Sequence, residues 1–295
     1  MNKTFGMIGL GNMGLPMAKN MVAAGLHVTA TSRSNSVVDD ARSFGMQIVD
    51  SIAEVAKSCD VIVTMLPADR EVISVYEDEG GIIDNCKQGA VCIDMTSAKG
   101  ETMRRIRDTG LARAKDIKWL DAPVSGGVAA AATAMLTIMV SGERMVFDEY
   151  LPFFEIVGKK ITYTGLLGSA KDVKMLNQAL NAGNSCVAAE VMMLAKQLDV
   201  DLDVFMDVVN ESSGGSWIFK NNVPRYITHD HKPGFKLDLM KKDVSLFTEV
   251  ARMNGDFTPI IDMVINILSA AGNQGHGEQN YTYISKWIEE QNNLH

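Results

Sequence analysis

A glycine-rich turn near the amino terminus places the tightest constraint on the fold of this chain. A short apolar run over residues 4–8 leads directly into Gly9-Leu-Gly11-Asn-Met-Gly14, and an amphipathic segment follows it. This G-x-G-x-x-G pattern between a strand and a helix is typical of a dinucleotide-binding βαβ unit, in which the glycines allow a tight turn and a close approach of the pyrophosphate. The sequence therefore predicts dinucleotide contacts from Gly9, Gly11, Asn12, Met13 and Gly14.

The end of the second predicted strand, residues 27–31, bears on the choice of cofactor. NAD sites usually carry an Asp or Glu at this point for the ribose hydroxyls, whereas NADP sites carry a small residue and a nearby Arg. Here the strand is followed by Ser32-Arg33-Ser34, and the first acid is Asp39. The pattern favours NADP(H) over NAD(H), with Arg33 against the 2′-phosphate and the two serines as hydrogen-bond donors. The alternative is that Arg33 is a solvated loop residue.

Strand-like and helix-like segments alternate through the first half of the chain, which predicts a doubly wound, mostly parallel sheet. After residue 164 a glycine-rich breaker follows, and no later segment resembles a buried strand. We expect an α/β Rossmann-type NAD(P)-binding domain over residues 1–164. An all-α substrate and dimerisation domain is predicted over residues 165–295, built on a long central helix from Ala170 to Leu198. The other predicted strands are 59–66, 90–94, 118–121 and 134–140, and the predicted helices include 52–57, 70–76 and 100–114.

Three segments that follow predicted strands are candidates for chemistry, because ligands of open α/β sheets bind at the carboxyl ends of the strands. Met65-Leu66-Pro67 is a candidate cofactor contact. The segment Asp94-Met-Thr96-Ser could touch a cofactor, although a helix cap is the simpler interpretation. Asp121-Ala-Pro-Val-Ser125-Gly126-Gly127 offers a row of backbone N–H groups that suits a carboxylate, although alone it resembles an ordinary turn.

A polar stripe crosses the predicted central helix. Lys174, Asn177, Gln178 and Asn181 are spaced at i, i+3, i+4 and i+7, so they share one face of a helix that is otherwise largely apolar. A lysine that faces a cleft can donate or accept a proton. The alternative is a buried polar network that joins two helices or two subunits.

Composition excludes several classes of function. The formal net charge of −8 argues against a nucleic-acid partner. The four cysteines form no C-x-x-C pair, and no cluster of metal ligands is visible, so we expect reduced thiols and no metal site. No apolar run is long enough to span a membrane, and the chain opens directly into its first predicted strand. We therefore expect a cytoplasmic enzyme.

Four motifs in order resemble the β-hydroxyacid dehydrogenase family over essentially the whole chain. They are the opening 9–18 with Asn20, the segment 121–127, the segment 168–178, and Lys242-Asp243. The resemblance implies that Lys174 is the catalytic acid/base and that Asn177 orients the substrate and the lysine. It also implies that Ser125, Gly126 and Gly127 hold the substrate carboxylate, and that Thr96 and Lys242 lie beside the reactive end of the cofactor. Gln178 is expected to contact the substrate as well.

Departures from the family pattern bear on the substrate. The related 6-phosphogluconate dehydrogenases need a glutamate at the position of Asn181, so decarboxylation is not expected here. Gln178 and the segment Lys232–Leu239 look like tartronate semialdehyde reductases. Residues 213–219, with Asn222 and Pro224, look like dehydrogenases of four-carbon sugar acids. The resemblance thus implies a short hydroxyacid of about three or four carbons, such as tartronate semialdehyde or 3-hydroxyisobutyrate, and leaves the choice open.

Two other classes share this fold. An imine reductase or a redox-inactive binding protein would be expected to lose the lysine at position 174, and this chain retains it. The long apolar helix needs more cover than the following segment can give, which predicts a homodimer or homotetramer.

Overall fold

The computed structural model of this chain describes residues 3–232 and 234–294. It divides into two compact units, residues 1–174 and residues 175–295. The predicted domain boundary after residue 164 remains a prediction. Within the described residues, no helix combines the length and the apolar character needed to cross a membrane.

The first unit is built on one nine-stranded sheet. Its strands are β1 (Thr4–Ile8), β2 (His27–Thr31), β3 (Gln47–Ile48), β4 (Val61–Thr64), β5 (Val91–Asp94), β6 (Lys118–Asp121), β7 (Val124–Ser125), β8 (Leu136–Gly142) and β9 (Gly158–Gly165). The spatial order is β3-β2-β1-β4-β5-β6-β8-β7, and β9 pairs with β8. Strands β3 to β6 along this order are parallel, whereas β8 runs antiparallel to β6 and β7. The predicted doubly wound, mostly parallel sheet is confirmed.

Helices cover both faces of this sheet. They are α1 (Gly14–Ala23), α2 (Asn35–Ser43), α3 (Ile52–Ser58), α4 (Asp69–Glu77), α5 (Ile82–Asn85), α6 (Gly100–Arg107), α7 (Gly110–Ala114), α8 (Gly127–Ala132) and α9 (Arg144–Val157). One apolar core includes residues of α1 and α9, and a second includes residues of α3, α4 and α6. Every residue of β4 and β5 is buried, as expected for parallel strands that are covered on both faces.

One helix prediction was wrong. The segment predicted as a single helix over 100–114 forms α6 and α7, because Thr109 leaves the helical region with ψ 147°. The Thr109 hydroxyl donates to the carbonyl of Ile106 over 2.9 Å, and the Asp108 carboxylate pairs with Arg107 and Arg113. These local bonds compete with the helical ladder, while the apolar periodicity continues through the break.

The second unit is helical, and the predicted long helix is confirmed as α10 (Ser169–Gln197), a helix of 29 residues that begins within the first unit. An apolar core joins α10 to later helices of the unit. Those helices are α11 (Leu202–Asn210), α12 (Trp217–Thr228), α13 (Leu237–Asn254), α14 (Pro259–Ala271) and α15 (Ile284–Gln291), with a π-helical turn at Gly272–His276 and a 3-10 turn at Tyr281–Tyr283.

Candidate active site

The register of the parallel strands brings most of the predicted site segments of the first unit to one edge of the sheet. Ile8 lies opposite Thr31 on one side and Thr64 on the other. Thr64 lies opposite Asp94, and Asp94 lies opposite Asp121. Several predicted segments therefore follow the carboxyl ends of adjacent strands, which is where open α/β sheets bind ligands. They are the glycine turn, Ser32–Ser34, Met65–Pro67, Thr96 and residues 122–127.

The glycine turn has the geometry that a dinucleotide cradle requires. Gly9 adopts φ +100°, and a Cβ built there would lie 2.2 Å from the carbonyl oxygen of Met65. A Cβ at Gly14 would lie 1.9 Å from the carbonyl oxygen of Gly9. A Cβ at Gly11, in contrast, would meet no atom within 4 Å, so the backbone there is open to a phosphate. Asn12 is exposed and Met13 is half-buried directly before α1. These residues fit a bound dinucleotide.

The turn after β2 presents a basic group and no acid. Arg33 and Ser34 are exposed and Ser32 is half-buried, and the backbone N–H of Ser34 donates to the Ser32 hydroxyl over 3.2 Å. Asp40, in α2, lies 2.8 Å from the amine of Lys19 and is thereby paired with α1. The arrangement leaves Arg33 accessible at the position where a ribose 2′-substituent is recognised in this fold.

Thr96 links the ends of β4 and β5. Its hydroxyl donates to Asp94 Oδ1 over 2.7 Å and accepts the backbone N–H of Leu66 over 2.9 Å. The hydroxyl of Thr64 also donates to Asp94 Oδ1, over 2.5 Å, and lies 3.1 Å from the hydroxyl of Tyr76. Thr96 and Asp94 are fully buried. The predicted segments 65–67 and 94–97 are thus joined by hydrogen bonds.

The first turns of α10 are anchored to the same edge. Lys171 Nζ lies 2.5 Å from Asp94 Oδ2 and donates to the carbonyl oxygen of Thr96 over 2.8 Å. The backbone N–H of Gly168 donates to Asp121 Oδ2, which also accepts from the Ser141 hydroxyl over 3.1 Å. Burial raises the pKa of Asp121 to about 6, with Lys171 opposing this shift and Asp94 adding to it.

Lys174 follows one helical turn after Lys171 and is 6 % exposed. A close backbone contact sets the depth of this helix: a Cβ at Gly100, the first residue of α6, would lie 2.4 Å from the carbonyl oxygen of Gly168. Arg104 of α6 also lies 3.3 Å from Asp172. The helix that carries Lys174 therefore starts at a fixed place relative to the ends of β5 and β6.

The predicted carboxylate-binding segment forms a corner. Val124 and Ser125 make up β7, Gly126 follows with φ +130°, and Gly127, the first residue of α8, has φ +68°. A Cβ at Gly126 would lie 2.6 Å from the Ala130 Cβ, whereas a Cβ at Gly127 would meet nothing within 4 Å. Gly126 is thus required by the chain's own packing, and Gly127 faces open space.

The predicted residues of the second unit form a short network. Gln178 Nε2 donates to Asp243 Oδ2 over 2.9 Å, and Lys242 Nζ lies 2.9 Å from Asp243 Oδ1. Asn177 is exposed and its amide donates to Gln178 Oε1 over 3.4 Å. Gln178 and Asp243 are buried. The amide nitrogen of Gln178 is therefore engaged by a carboxylate, and its predicted contact with substrate stays a prediction.

Sequence reasoning missed Lys171. The residue lies three positions before Lys174, so it extends the polar stripe of α10 by one turn, and that spacing was the available signal. Among the described residues, no group of three or more His, Cys, Asp or Glu side chains is placed to hold a metal ion. All four cysteines are buried and none is in a disulfide.

Comparison with known proteins decides the family. Residues 4–165 match the model of the NAD-binding domain of 6-phosphogluconate dehydrogenase, and residues 168–288 match the NAD-binding domain of NADP-dependent 3-hydroxyisobutyrate dehydrogenase. This chain belongs to the β-hydroxyacid dehydrogenase family. It is an NAD(P)-dependent oxidoreductase that acts on CH–OH groups and takes a nicotinamide cofactor.

Individual relatives carry different substrate names. The chain is 30% identical to the NAD-dependent L-serine dehydrogenase of Pseudomonas aeruginosa, over 96% of this chain and 97% of that protein. It is 31% identical to the L-threonate dehydrogenase of Escherichia coli, over 95% and 93%. The solved structure of Mycobacterium tuberculosis 3-hydroxyisobutyrate dehydrogenase with L-serine matches with a TM-score of 0.90 at 28% identity, covering 98% of this chain and 99% of that one.

Proposed function

We propose that this enzyme prefers NADP(H) and interconverts a short 3-hydroxyacid, of about three or four carbons, and its semialdehyde. The observation that carries the proposal is Lys174, a buried lysine on a helix whose start is anchored to Asp94 and Asp121 at the ligand-binding edge of the sheet. A lysine held in this way can exchange a proton with a substrate oxygen.

The residues present fit the dinucleotide. The turn Gly9–Gly14 would hold the pyrophosphate, and Ser32–Ser34 would hold the ribose 2′-phosphate. Met65–Pro67, Thr96 and Lys242 would lie along its nicotinamide end, as the family resemblance implies. When bound, the nicotinamide donates or accepts the hydride, and the protein supplies position and a proton.

We assign proton transfer to Lys174. In the reducing direction its ammonium group donates to the oxygen that develops negative charge, and in the oxidising direction its neutral amine accepts the hydroxyl proton. Asn177 follows one turn later on α10 and would orient the substrate hydroxyl and the lysine. Backbone N–H groups of Ser125, Gly126 and Gly127 would hold the carboxylate.

The reaction stops at the carbonyl product. Decarboxylation needs a second proton donor for the carbanion that remains, and position 181, two turns after Lys174, is an asparagine. An asparagine amide does not exchange a proton at neutral pH as a glutamate does. The hydroxyacid is therefore oxidised without loss of CO₂.

A second candidate is the oxidation of a four-carbon sugar acid such as L-threonate. The similarity to L-threonate dehydrogenase and the segment Ser213–Phe219, with Asn222 and Pro224, support it. The lysine chemistry is the same in both cases. Pro233, in the segment 232–239 that resembles tartronate semialdehyde reductases, lies outside the described residues.

A substrate panel tests both candidates. NADP+ and NAD+ are reduced in the presence of 3-hydroxyisobutyrate, L-serine, glycerate and L-threonate, and NADPH and NADH are oxidised by tartronate semialdehyde. We expect turnover with at least one 3-hydroxyacid and none with lactate, which has a hydroxyl only at carbon 2. Absence of turnover with every 3-hydroxyacid, from protein that binds NADPH, would contradict the proposal.

A further inference from the structure

Lys171 is a buried cationic side chain at the sheet edge that the proposed reaction does not use. Its side chain has no exposed surface, and neither does that of its partner Asp94. The Lys171 amine makes two contacts, to Asp94 Oδ2 over 2.5 Å and to the carbonyl oxygen of Thr96 over 2.8 Å. Asp94 is the last residue of β5, and Thr96 lies in the turn that follows it.

These contacts act on the Thr96 hydroxyl from two sides. Asp94 Oδ2 binds Lys171, while Asp94 Oδ1 accepts from the Thr96 hydroxyl over 2.7 Å. The Thr96 hydroxyl in turn accepts the backbone N–H of Leu66 over 2.9 Å. A single amine therefore fixes the turn after β5 and, through the Thr96 hydroxyl, the turn after β4.

The charges explain why this pair is held so tightly. Lys171 pairs with the buried carboxylate of Asp94, and its charge also lowers the pKa of Asp121, the buried carboxylate that binds Gly168 directly before the same helix. A buried ion pair contributes little net stability over an apolar pair of equal volume, because desolvation offsets the attraction. The presence of this ion pair at a ligand-binding edge of the sheet indicates that it positions the neighbouring turns.

We propose that Lys171 is a positioning residue for the nicotinamide end of the cofactor: it holds the Thr96 and Leu66 turns at fixed distance from the first turns of α10, which carry Lys174. The inference rests on the proposed function in one respect, namely that these turns lie beside the nicotinamide. It assigns to Lys171 no direct part in proton transfer.

The proposed role predicts different effects on the binding of the two ends of the cofactor. The adenosine end would contact the glycine turn and Ser32–Ser34, none of which bonds to Lys171. Loss of Lys171 should weaken the intact dinucleotide and leave a fragment that lacks nicotinamide unaffected. A purely structural role would weaken both, because the fragment and the dinucleotide share the same folded unit.

The test measures the Kd of NADPH and of 2′-phospho-ADP-ribose by calorimetry for the wild type and Lys171→Met. If the wild type binds NADH more tightly, NADH and ADP-ribose replace them. We expect the Kd of the dinucleotide to rise about 10- to 100-fold, the size of one lost bond to a charged group, with the fragment Kd within about twofold. Equal weakening of both ligands, or no weakening of either, would overturn the proposal.

Two further variants keep this test decisive. If Lys171→Met does not fold, the double variant with Asp94→Asn removes both buried charges while its new amide oxygen still offers an acceptor to the Thr96 hydroxyl, and the same criterion applies to it. Lys196→Met, on the same helix, breaks a more exposed ion pair of the same 2.5 Å length, with Glu289, and should change neither Kd. These binding measurements use no substrate. A wrong substrate assignment would therefore be detected by the substrate panel described above and would not affect the Kd values measured here.

Discussion

Asp121, the last residue of β6, accepts the backbone N–H of Gly168 directly before α10, and does so through one oxygen only. Its other oxygen, Oδ1, is buried and has no hydrogen-bond partner among the described residues. Burial raises the pKa of this carboxyl to about 6, from 3.8. The folded protein therefore binds a proton at Asp121 more tightly than the unfolded chain does.

This shift predicts a dependence of stability on pH. Between about pH 4 and pH 6 the unfolded chain has lost the Asp121 proton and the folded protein has kept it, so Asp121 lowers the free energy of unfolding as pH rises through this window. Asp121→Asn removes this contribution. Urea unfolding at each pH gives the free energy of unfolding of the variant minus that of the wild type. We expect this difference to be about 2 kcal/mol more positive at pH 7 than at pH 4.5.

His231 has the opposite effect on the pH dependence of the free energy of unfolding. Burial lowers its pKa to about 4, so its contribution to stability is present above about pH 6.5 and is lost as pH falls toward 4. Because His231 is the same in both proteins, the difference between variant and wild type cancels it. A difference that is equal at the two pH values would show that Asp121 is ionised in the folded protein throughout.

Lys174→Ala should lower turnover by about 10²- to 10⁴-fold, because the variant lacks the side chain to which we assign exchange of the substrate proton. The Kd of NADPH should change little. The measurement is steady-state kcat with the best substrate of the panel, alongside NADPH titration. Lys196→Ala on the same helix is the control, and near-normal kcat in Lys174→Ala would refute the assignment.

Arg33→Ala should weaken NADPH by about 1.5–3 kcal/mol, the size of a hydrogen bond to a charged group, and leave NADH nearly unchanged. Arg42→Ala removes another exposed arginine, on α2, and should affect neither cofactor. Titration of each variant with both cofactors gives the comparison. Equal losses for NADPH and NADH, or a wild type that prefers NADH, would contradict recognition of the 2′-phosphate by Arg33.

Gly127→Ala should raise KM for the acid substrate, because the added methyl group enters the open space beside the proposed carboxylate pocket. Gly89→Ala is a matched control, since Gly89 has the same φ of +68° and a Cβ there also meets nothing within 4 Å. Both variants carry the same backbone strain of about 1–2 kcal/mol. An equal rise of KM in both variants would show that Gly127 does not line the carboxylate pocket.

We propose that α10 supports a homodimer or homotetramer, because large apolar side chains are exposed along one face of it. The set is Leu180, Val187, Val191, Leu194 and Leu198 just beyond its end. Leu194→Glu should shift the mass measured by light scattering toward the monomer, since the charge would be buried in the contact. Gln197→Glu, at an exposed polar site, should not. A wild-type monomer at micromolar concentration would exclude the assembly.

Local sequence signals were sufficient for most of the fold. The strands His27–Thr31 and Lys118–Asp121 have the predicted bounds, and α10 begins and ends within one residue of its prediction. Elements too short for periodicity were missed, among them β3 and β7. The break at Thr109 was missed because side-chain bonds to the backbone, rather than the apolar pattern, end α6.

The candidate site was predictable only where a motif is continuous in sequence. The glycine turn and the lysine stripe could be read directly, whereas the pairing of Lys171 with Asp94 joins residues 77 positions apart. Gln178 was predicted to face a substrate, yet its amide nitrogen binds Asp243, 65 residues away. Such pairings depend on which helix packs against which strand end, and no spacing rule encodes that.

The contact between Gly100 and Gly168 has a consequence for protein engineering. Main-chain atoms meet there with no side chain between them, so van der Waals contact of the two backbones sets the spacing of α6 and the start of α10. Exchanging side chains elsewhere at this edge of the sheet leaves that spacing in place. If Ser125 and Gly127 line the carboxylate pocket as proposed, substrate preference can be redesigned residue by residue around them while the helix that carries Lys174 keeps its position.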